Sequence, residues 1–582
     1  MAFDGLVMSA VKIELENTIM GGRIEKIYQP LSREIALIIH KDKSKHRLLV
    51  SAHARDARIH LTSGIKENPL SPPMFCMVLR KHIEGGRITS IRQSGLERVL
   101  CIEVEAKDEL GMLSAKTLLC EVMGKHSNII LVDPASNIVL DGINRYSYAT
   151  SRHREILPGR QYVSPPESGK LNPFEVTEDN FRAALWDPDN DIAVEKLLLN
   201  KFEGLSPQTC QEIAVMSGIE PSLSTQFIGD LDLYKMWRFF QTMRNNAANG
   251  LFNPTLCSIG SKMISYSAFE QTRYPLTQCK SGSMCTVLDE FYSVRERQEL
   301  LKQAANNLLK TVGNEIRKCK KKITIHEDTI KKSEEAETLK LSGELITANI
   351  FQIPHNETTV ELVNYYDPEA KKVSIQMNSR LTPAENAQAY FKRYTKSRHG
   401  RRLAAQYLEE SKNELAYLDS VVISIEQAEE NSELAEIKSE LIKEGYIKPE
   451  KIPTNRKKAN VSTEPSPHVI DLQNGLKILI GRNNRQNDYV TMKMAGPEDL
   501  WLHVKDIPGS HVLIKASKRG EFPPQTIQKA AEIAAYYSKA RNSSKVSVDY
   551  TLRKHVRKPK GAKPGMVIYD SQKTILVEPK IP

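Results

Sequence analysis

The sequence predicts a multidomain α+β protein: a β-rich N-terminal lobe, a helical segment, an antiparallel coiled-coil stalk with a small middle module, and a C-terminal α+β domain. Three observations point there. The chain has 582 residues, more than one hydrophobic core organises, so three or more units are expected. Short alternating apolar runs fill residues 22–163, and two later stretches carry apolar residues at coiled-coil spacing.

Each element follows in chain order. Residues 4–20 and 73–84 read as helices. Around them "RIEKIYQ", "EIALIIH", "HRLLVSAH", "RITSIRQSG", "RVLCIEVE", "KTLLCEVMG" and "NIILVD" are broken by Gly, Pro and Asn turns, as an antiparallel sheet or sandwich requires. Residues 171–251 change to short helices. In "FEGLSPQTCQEIAVMSGI", Gly204 and Pro207 make a tight turn, which in a helix-hairpin-helix unit presents backbone N–H groups to a phosphate, although any helical hairpin needs such a turn. Within 289–330, Leu301, Ala305, Leu308, Val312, Ile316, Cys319, Ile323 and Ile330 recur at heptad-like intervals, and Leu408, Leu415, Leu418, Val422 and Ile425 form a second run. Two such runs around an insert make an antiparallel hairpin the natural solution. Each run satisfies the other, so a monomer is expected, and roughly forty residues of helix would span about 60 Å. The insert has a strand-like centre and a helix opening at Thr382, with Pro383 and Glu385 suited to its first turn. Residues 446–467 are polar and aperiodic and read as a linker. Beyond lie strands "HVIDLQ" and "LKILIGR", a helix over 524–539, and strands "KVSVDY" and "MVIYD".

Charge narrows the partners. Lys and Arg number 82 against 71 Asp and Glu, a net +11 that would suit phosphate if clustered. The densest cluster is "TLRKHVRKPKGAKPG", with Arg553, Lys554, Arg557, Lys558, Lys560 and Lys563, no acid among them, and Pro559 and Pro564 as stiffeners; it reads as an RNA-backbone contact. Tyr489, Trp501, Tyr536, Tyr537 and Tyr550 could stack on bases or serve the core. The closest pair of the eight cysteines, Cys279 and Cys285, lacks zinc or dithiol spacing, so free thiols, no metal and no cofactor are expected. The start is not a secretory signal and no apolar run reaches membrane-spanning length, which predicts a cytoplasmic protein without a membrane partner.

No stretch satisfies the requirements of a catalytic centre. In "DLWLHVKDIPGSHVLIK", residues 499–515, Ser510 follows Pro508-Gly509 without a nucleophile-elbow pattern, and the two histidines have no Cys partner. That stretch reads as a strand and turn that shape a surface. In "SGLERVLCIEVE", Glu97 and Arg98 follow a Gly turn and are expected on opposite faces of a beginning strand. In "CEVMGKHSNIILVD", Glu121, Lys125, His126 and Asn128 lie on or beside a β-turn.

Taken in order, "FDG", "MGGRIEKIYQP", "LLVSAHARDARIHLT", "NPLSPPMFCMVLRKHIEGG", "GLERVLCIEVE", "EVMGKHSNIILVD", "GELITANI", "NYYDP", "LTPAENAQAYFKRYTK" and "DLWLHVKDIPGSHVLIK" make the chain resemble the NFACT family, in particular its bacterial branch, over nearly its whole length. The resemblance implies an NFACT-N domain over 1–172 with a fold similar to formamidopyrimidine-type DNA glycosylases, and a helix-hairpin-helix domain over 173–284. Coiled-coil strands over 285–335 and 386–445 would flank a middle module at 336–385, with a linker at 446–465 and an NFACT-R domain over 466–582. It implies a ribosome quality control factor that binds large ribosomal subunits carrying peptidyl-tRNA, recruits alanyl-tRNA and directs mRNA-independent Ala tailing. A small RNA-binding helper protein of the same pathway is a further implied partner. The ribosome makes the peptide bond, so no enzyme activity is implied.

Site residues carry over by motif. The family's Asp-Arg pair, tied to tRNA recruitment and tailing, falls on Glu97 and Arg98, with Glu in place of the usual Asp. Glu121, Met123, Lys125, His126 and Asn128 match the next N-terminal motif. Asp499, Trp501 and His503, followed by Gly509, Ser510 and His511, match the NFACT-R motif. Two other readings stand beside this one. One is a fibronectin-binding surface adhesin, after an older label of the bacterial branch. The other is a glycosylase-like nucleic-acid enzyme, whose chemistry needs a proline after the initiator methionine and then an acid, where this chain has Ala2 and Phe3.

Overall fold

Burial of one apolar helix against a long antiparallel sheet organises the N-terminal part of the molecule. In the computed structural model, which describes residues 3–108, 111–149, 153–166, 169–186, 191–260, 262–449, 465–472, 475–516 and 522–580, two compact units form, 1–298 and 299–582. Helix α1 (Gly5–Ile19) starts at Asp4, whose carboxylate accepts the Val7 N–H at 2.9 Å, and buries Leu6, Val7, Val11, Leu15 and Ile19. The sheet holds β1 (Arg23–Leu31), β2 (Glu34–Lys41), β3 (Ser44–Ser51) and β4 (Arg58–Leu61). After α2 (Met74–Ile83) come β5 (Arg87–Gln93), β6 (Val99–Lys107), β7 (Leu113–Glu121), β8 (Asn128–Asp133) and β9 (Ile138–Gly142). Their order, β4-β3-β2-β1-β5-β6-β7-β8-β9, is that of two antiparallel meanders joined at β1 and β5. Along β6, Leu100, Ile102 and Val104 are buried at period two, the alternation that the sequence pattern predicts.

Helices α3 (Glu178–Leu185), α4 (Val194–Lys201), α5 (Pro207–Met216) and α6 (Asp230–Ala248) follow, packed around Phe181, Phe202, Trp237 and Phe240, with ring centroids 4.9–5.3 Å from Phe181. A three-stranded sheet that the sequence reading did not anticipate comes next: β10 (Thr255–Ile259), β11 (Lys262–Ser267) and β12 (Cys279–Ser281). Its register sets Cys257 opposite Cys279, and the two form a disulfide. This corrects the expectation of free thiols throughout. A separation of 22 residues carries no motif, and only strand pairing brings the sulfurs together. Helix α7 (Met284–Lys332) then begins, its first N–H groups, of Met284 and Cys285, donated to the Glu14 carboxylate of α1.

In the second unit α7 is joined by α8 (Ala336–Ala348), the hairpin β13 (Thr359–Val363) and β14 (Lys372–Gln376), α9 (Pro383–Gln427) and α10 (Asn431–Lys443). The expected antiparallel pairing holds: Lys322 meets Glu414 at 3.7 Å and Lys412 meets Glu327 at 4.0 Å. Leu308, Val312, Cys319, Leu418 and Ile425 are buried, with Leu301, Ala305, Ile316, Leu415 and Val422 packed against them. The reading of 386–445 as one continuous coiled-coil strand needs correction. α9 stops at Gln427, and α10 folds back to add Leu434, Ile437 and Leu441 to the same core. Thr382 caps α9 as predicted, its hydroxyl accepting the Glu385 N–H at 3.3 Å while Glu385 accepts the Thr382 N–H at 2.7 Å.

The C-terminal domain holds β15 (His468–Asp471), β16 (Lys477–Ile480), α11 (Asn484–Tyr489), β17 (Leu500–Val504), β18 (Val512–Ile514), α12 (Pro524–Tyr536), β19 (Val546–Leu552), β20 (Val556–Arg557), β21 (Ile568–Tyr569) and β22 (Lys573–Val577). Six strands pair in the order β15-β16-β18-β17-β19-β22. Glutamates along α10 grip this domain: Glu433 holds Arg482 at 2.9 Å, Glu436 holds Asn483 at 2.8 Å, and Glu440 holds Asn484 at 3.2 Å. Of the expected linker, residues 450–464 lie outside the described residues. No helix among the described residues is long and apolar enough to cross a membrane.

Glu14 is the carboxylate that closes the first turn of α7. Glu14→Ala is expected to lower the unfolding free energy by about 1–2 kcal/mol and Glu14→Gln by less. Urea titration of the full chain checks this; equal midpoints for all three proteins would contradict it.

Candidate nucleic-acid interface

In the first unit, three turns far apart in sequence meet around a cleft of about 910 Å³: residues 94–98 before β6, 122–127 between β7 and β8, and 203–207 between α4 and α5. Backbone contact holds two of them together. The Gly5 N–H donates to the Gly204 carbonyl at 2.7 Å. A Cβ on Gly5 would stand 2.8 Å from the Leu96 carbonyl carbon, and one on Gly204 would stand 2.5 Å from the Leu96 oxygen. Gly204 also has φ +70°, in the left-handed region that favours glycine. Gln93 completes the joint, its amide donating to the Gly5 carbonyl at 3.0 Å and the Glu97 carbonyl at 2.8 Å.

This joint places Glu97 and Arg98. They sit in the turn ahead of β6, not on opposite faces of a strand as the sequence suggested, because pairing with β7 begins only at Val99. Glu97 is exposed and Arg98 half-buried, and both line the cleft. Burial lowers the Arg98 guanidinium from its ordinary value, while the Asp4 carboxyl acts in the opposite sense. Asp4 itself accepts the Thr209 hydroxyl at 2.6 Å, yet burial raises its carboxyl above the usual range. Glu203 is raised as well, first by burial and then by the neighbouring charge of Glu97. Sequence reasoning missed Asp4 and Glu203 as cleft residues. Asp4 stands in the opening "FDG", but nothing in residue spacing ties it to position 98.

The second predicted motif divides into two roles. Glu121 is buried, bound through Oε1 to Arg154 Nη1 at 2.8 Å and to the Tyr162 hydroxyl at 3.0 Å. Asn128 is buried too, donating to the Asn144 carbonyl at 2.8 Å and accepting the Asn144 N–H at 3.0 Å. These two hold the ends of the 122–127 turn, and the exposed residues on it are Lys125 and His126. His126 and Met123 line the cleft; Lys125 stands outside its lining. His153, Arg154 and Lys170, not singled out from sequence, add basic groups to it. Beside them α5 opens at Ser206, whose hydroxyl accepts the Thr209 N–H at 3.2 Å. Cations around a helix N-terminus suit a phosphate, and the carboxyls suit the donors of a base or ribose.

In the C-terminal domain the predicted motif is internal, a correction to its reading as a surface. Trp501 is fully buried between Leu479, Val490, Leu513 and Val556, its indole N–H donating to the Thr491 hydroxyl at 3.2 Å. His511 Nδ1 lies 2.8 Å from that hydroxyl, and burial lowers its imidazole well below the ordinary value. His503 stacks on Trp501 and is lowered to about 4, again by burial. Asp499 accepts the Gly496 and Ala516 N–H groups at 2.8 Å each and the Lys515 ammonium at 3.0 Å. Gly509 and Ser510 lay the turn on the end of α12: the Ser510 N–H donates to the Tyr537 carbonyl at 2.9 Å, and a Cβ on Gly509 would meet Ser538 at 2.9 Å. The motif builds the domain from inside.

The run over 551–565 is less bare than its sequence suggests. Arg553 is half-buried, donating to the Thr491 carbonyl at 2.7 Å. Lys554 pairs with Glu498 at 3.2 Å, Arg557 approaches Asp570 at 3.9 Å, Lys558 pairs with Asp488, and Lys563 pairs with Glu444 at 2.6 Å. Among the described residues, Lys560 alone of the six has no ion-pair or hydrogen-bond partner. The reading of an uncompensated cluster is therefore corrected: its acids come from elsewhere in the fold. Among the described residues no group of three or more His, Cys, Asp or Glu side chains is placed to hold a metal ion.

The class these features define is given by family comparison. Residues 4–460 match the NFACT N-terminal and middle domains and residues 467–571 match the NFACT protein RNA binding domain, so the chain belongs to the NFACT family. It is 37% identical over 579 residues to the Rqc2 homolog RqcH of Bacillus subtilis (strain 168), covering 100% of this chain and 98% of that one. It is 24% identical over 373 residues to the ribosome quality control complex subunit NEMF of Homo sapiens, covering 60% of this chain and 33% of that one. Among solved structures, the N-terminal part of the fibronectin/fibrinogen-binding protein from Streptococcus suis is 34% identical, covering 50% of this chain and 99% of that chain at a TM-score of 0.42.

The joint at Leu96 gives the cleft its shape. Gly204→Ala is expected to cost about 2 kcal/mol, from the left-handed backbone and overpacking together. Thermal unfolding checks it; an alanine chain of unchanged stability would contradict the close approach.

Proposed function

We propose that the chain is a ribosome quality control factor: it binds large ribosomal subunits that carry peptidyl-tRNA, recruits tRNA through the first-unit cleft, and directs mRNA-independent addition of alanine to the nascent chain. Peptide-bond formation belongs to the ribosome in this reading, and the protein acts in the cytoplasm. Likeness to RqcH over the full length supports the assignment. The single structural observation that carries it is the cleft in which the Glu97–Arg98 turn, His126 and the Gly204–Pro207 hairpin turn meet.

The residues divide the work by charge. Arg98, His126, His153 and Lys170 would meet phosphates, which fix position without reading sequence. Glu97 and Glu203 would repel phosphates, so their partners are N–H or O–H donors on unpaired bases and ribose, the parts of RNA that side chains can reach. Glu97 extends the usual aspartate by one methylene, and its place on the exposed turn leaves room for the longer reach. Glu121 and Asn128 act by holding the 122–127 turn, and Asp499, Trp501, His503, Gly509, Ser510 and His511 by holding the RNA-binding domain together.

Affinity purification from cells at moderate salt, with sequencing of the bound RNA, tests the proposal. The wild-type chain should bring down large-subunit rRNA and one enriched tRNA, alanine-accepting if the tail is alanine. Arg98→Ala should retain the rRNA while losing at least tenfold of the tRNA, and should abolish C-terminal alanine addition to a stalled reporter. Absence of rRNA from the wild-type sample would overturn the assignment.

A further inference from the structure

Charge pairing differs sharply between the two basic regions of the second unit. Around 551–565, acids from other segments reach four of the six cations, and a fifth, Arg553, is half-buried against backbone. Residues 386–408 of α9 contain Lys392, Arg393, Lys396, Arg398, Arg401 and Arg402 and no Asp or Glu. All six are exposed. Among the described residues none forms an ion pair. Among the described residues Glu334, Glu335 and Glu337 on the neighbouring chain segment form no ion pair with them, and Arg393 lies over the Tyr390 ring at 5.6 Å.

Helical periodicity turns this run into a face. At 100° per residue, Lys392, Lys396, Arg398, His399 and Arg402 fall within about 160° of one another, and the buried Ala404 lies outside that sector. Lys392 with Lys396 and Arg398 with Arg402 stand one turn apart, where like charges repel and weaken the isolated helix. Folding of the stalk has no use for that repulsion, because its core lies nearer the base of the hairpin at Leu308, Val312, Leu418 and Ile425. A polyanion laid along the face removes the repulsion and releases counterions.

We propose that this face of α9, over residues 392–402, is a sequence-independent binding surface for the phosphate backbone of duplex RNA. The face is about 15 Å long, enough to track a stretch of backbone, and its Arg and Lys mixture suits phosphates without a fixed register. It lies in the second unit and is separate from the cleft around Arg98, so it does not depend on the tRNA reading of that cleft. It also shifts the main electrostatic contact of this unit away from the 551–565 loop, where five of the six cations are already engaged.

The test measures binding of the full-length chain to a 20-base-pair RNA duplex of arbitrary sequence, by fluorescence anisotropy across a salt series. The variant Lys392→Gln, Lys396→Gln, Arg398→Gln, Arg402→Gln keeps good helix formers, and circular dichroism verifies its helicity. It should reduce the slope of log affinity against log salt by about three to four and the affinity at moderate salt at least tenfold. Lys392→Arg with Lys396→Arg, which keeps the charge, should retain the slope. Lys554→Gln with Lys558→Gln should change it by less than about one. An unchanged slope in the fourfold variant, or a loss confined to the loop variant, overturns the surface. The Arg98→Ala chain separates the two readings: it should bind the duplex with full slope whatever it does to tRNA, and loss of slope there alone would place duplex binding in the cleft.

Discussion

The approach of three backbone segments at Leu96 governs the first unit. Gly5 opens α1, Gly204 turns the α4–α5 hairpin, and the Leu96 peptide lies against both with no room for a Cβ on either side. A hydrogen bond from Gly5 to Gly204 closes the contact, and Gln93 ties the turn to it. The charged residues that line the cleft beside it inherit their positions from this joint. Arg98 is two residues from Leu96, Asp4 is next to Gly5, and Glu203 is next to Gly204. Titratable groups placed by backbone in this way, Asp4 buried and Arg98 and Glu203 half-buried, are preorganised, so a ligand of the cleft would not have to order them.

The same economy of position appears in the second predicted motif, where burial and exposure separate support from contact. Glu121 and Asn128 anchor the two ends of the 122–127 turn through Arg154 and Asn144, the Ser127 hydroxyl accepts the Met123 N–H within it, and the turn then presents Lys125 and His126. Removing one partner of a buried pair such as Glu121–Arg154 costs about 3–5 kcal/mol, so loss of function there would report collapse of the turn. In the C-terminal domain the buried Trp501, Thr491 and His511 cluster plays the corresponding part, and its lowered histidines stay neutral in the cell.

Much of the architecture was legible because it rests on local periodicity. The antiparallel strands of the N-terminal lobe, the α7–α9 pairing and the cap at Thr382 each follow from spacing within a few turns or strands, whereas the edge strands β4 and β9, and the choice of one sheet over a sandwich, do not. What escaped depends on contacts between distant segments. The disulfide of Cys257 and Cys279 needs strand pairing, and the return of α10 needs to know which core its Leu434, Ile437 and Leu441 will join. The neutralisation of Lys558 and Lys563 needs Asp488 and Glu444, 70 and 119 residues away. For the site, motif order singled out Glu97, Arg98 and His126. Their meeting with Asp4, Glu203 and Lys170 in one cleft is a property of the fold, and the exposed cations of α9 stood out only once the loop's pairs were accounted for.

The most direct test of the account is where RNA touches the first unit. A photo-crosslinking residue in place of His126, activated in cells and followed by sequencing of the attached RNA, reads the cleft itself. The account predicts crosslinks dominated by tRNA, lost on introducing Arg98→Ala; crosslinks to rRNA alone, or crosslinking indifferent to position 98, would contradict it.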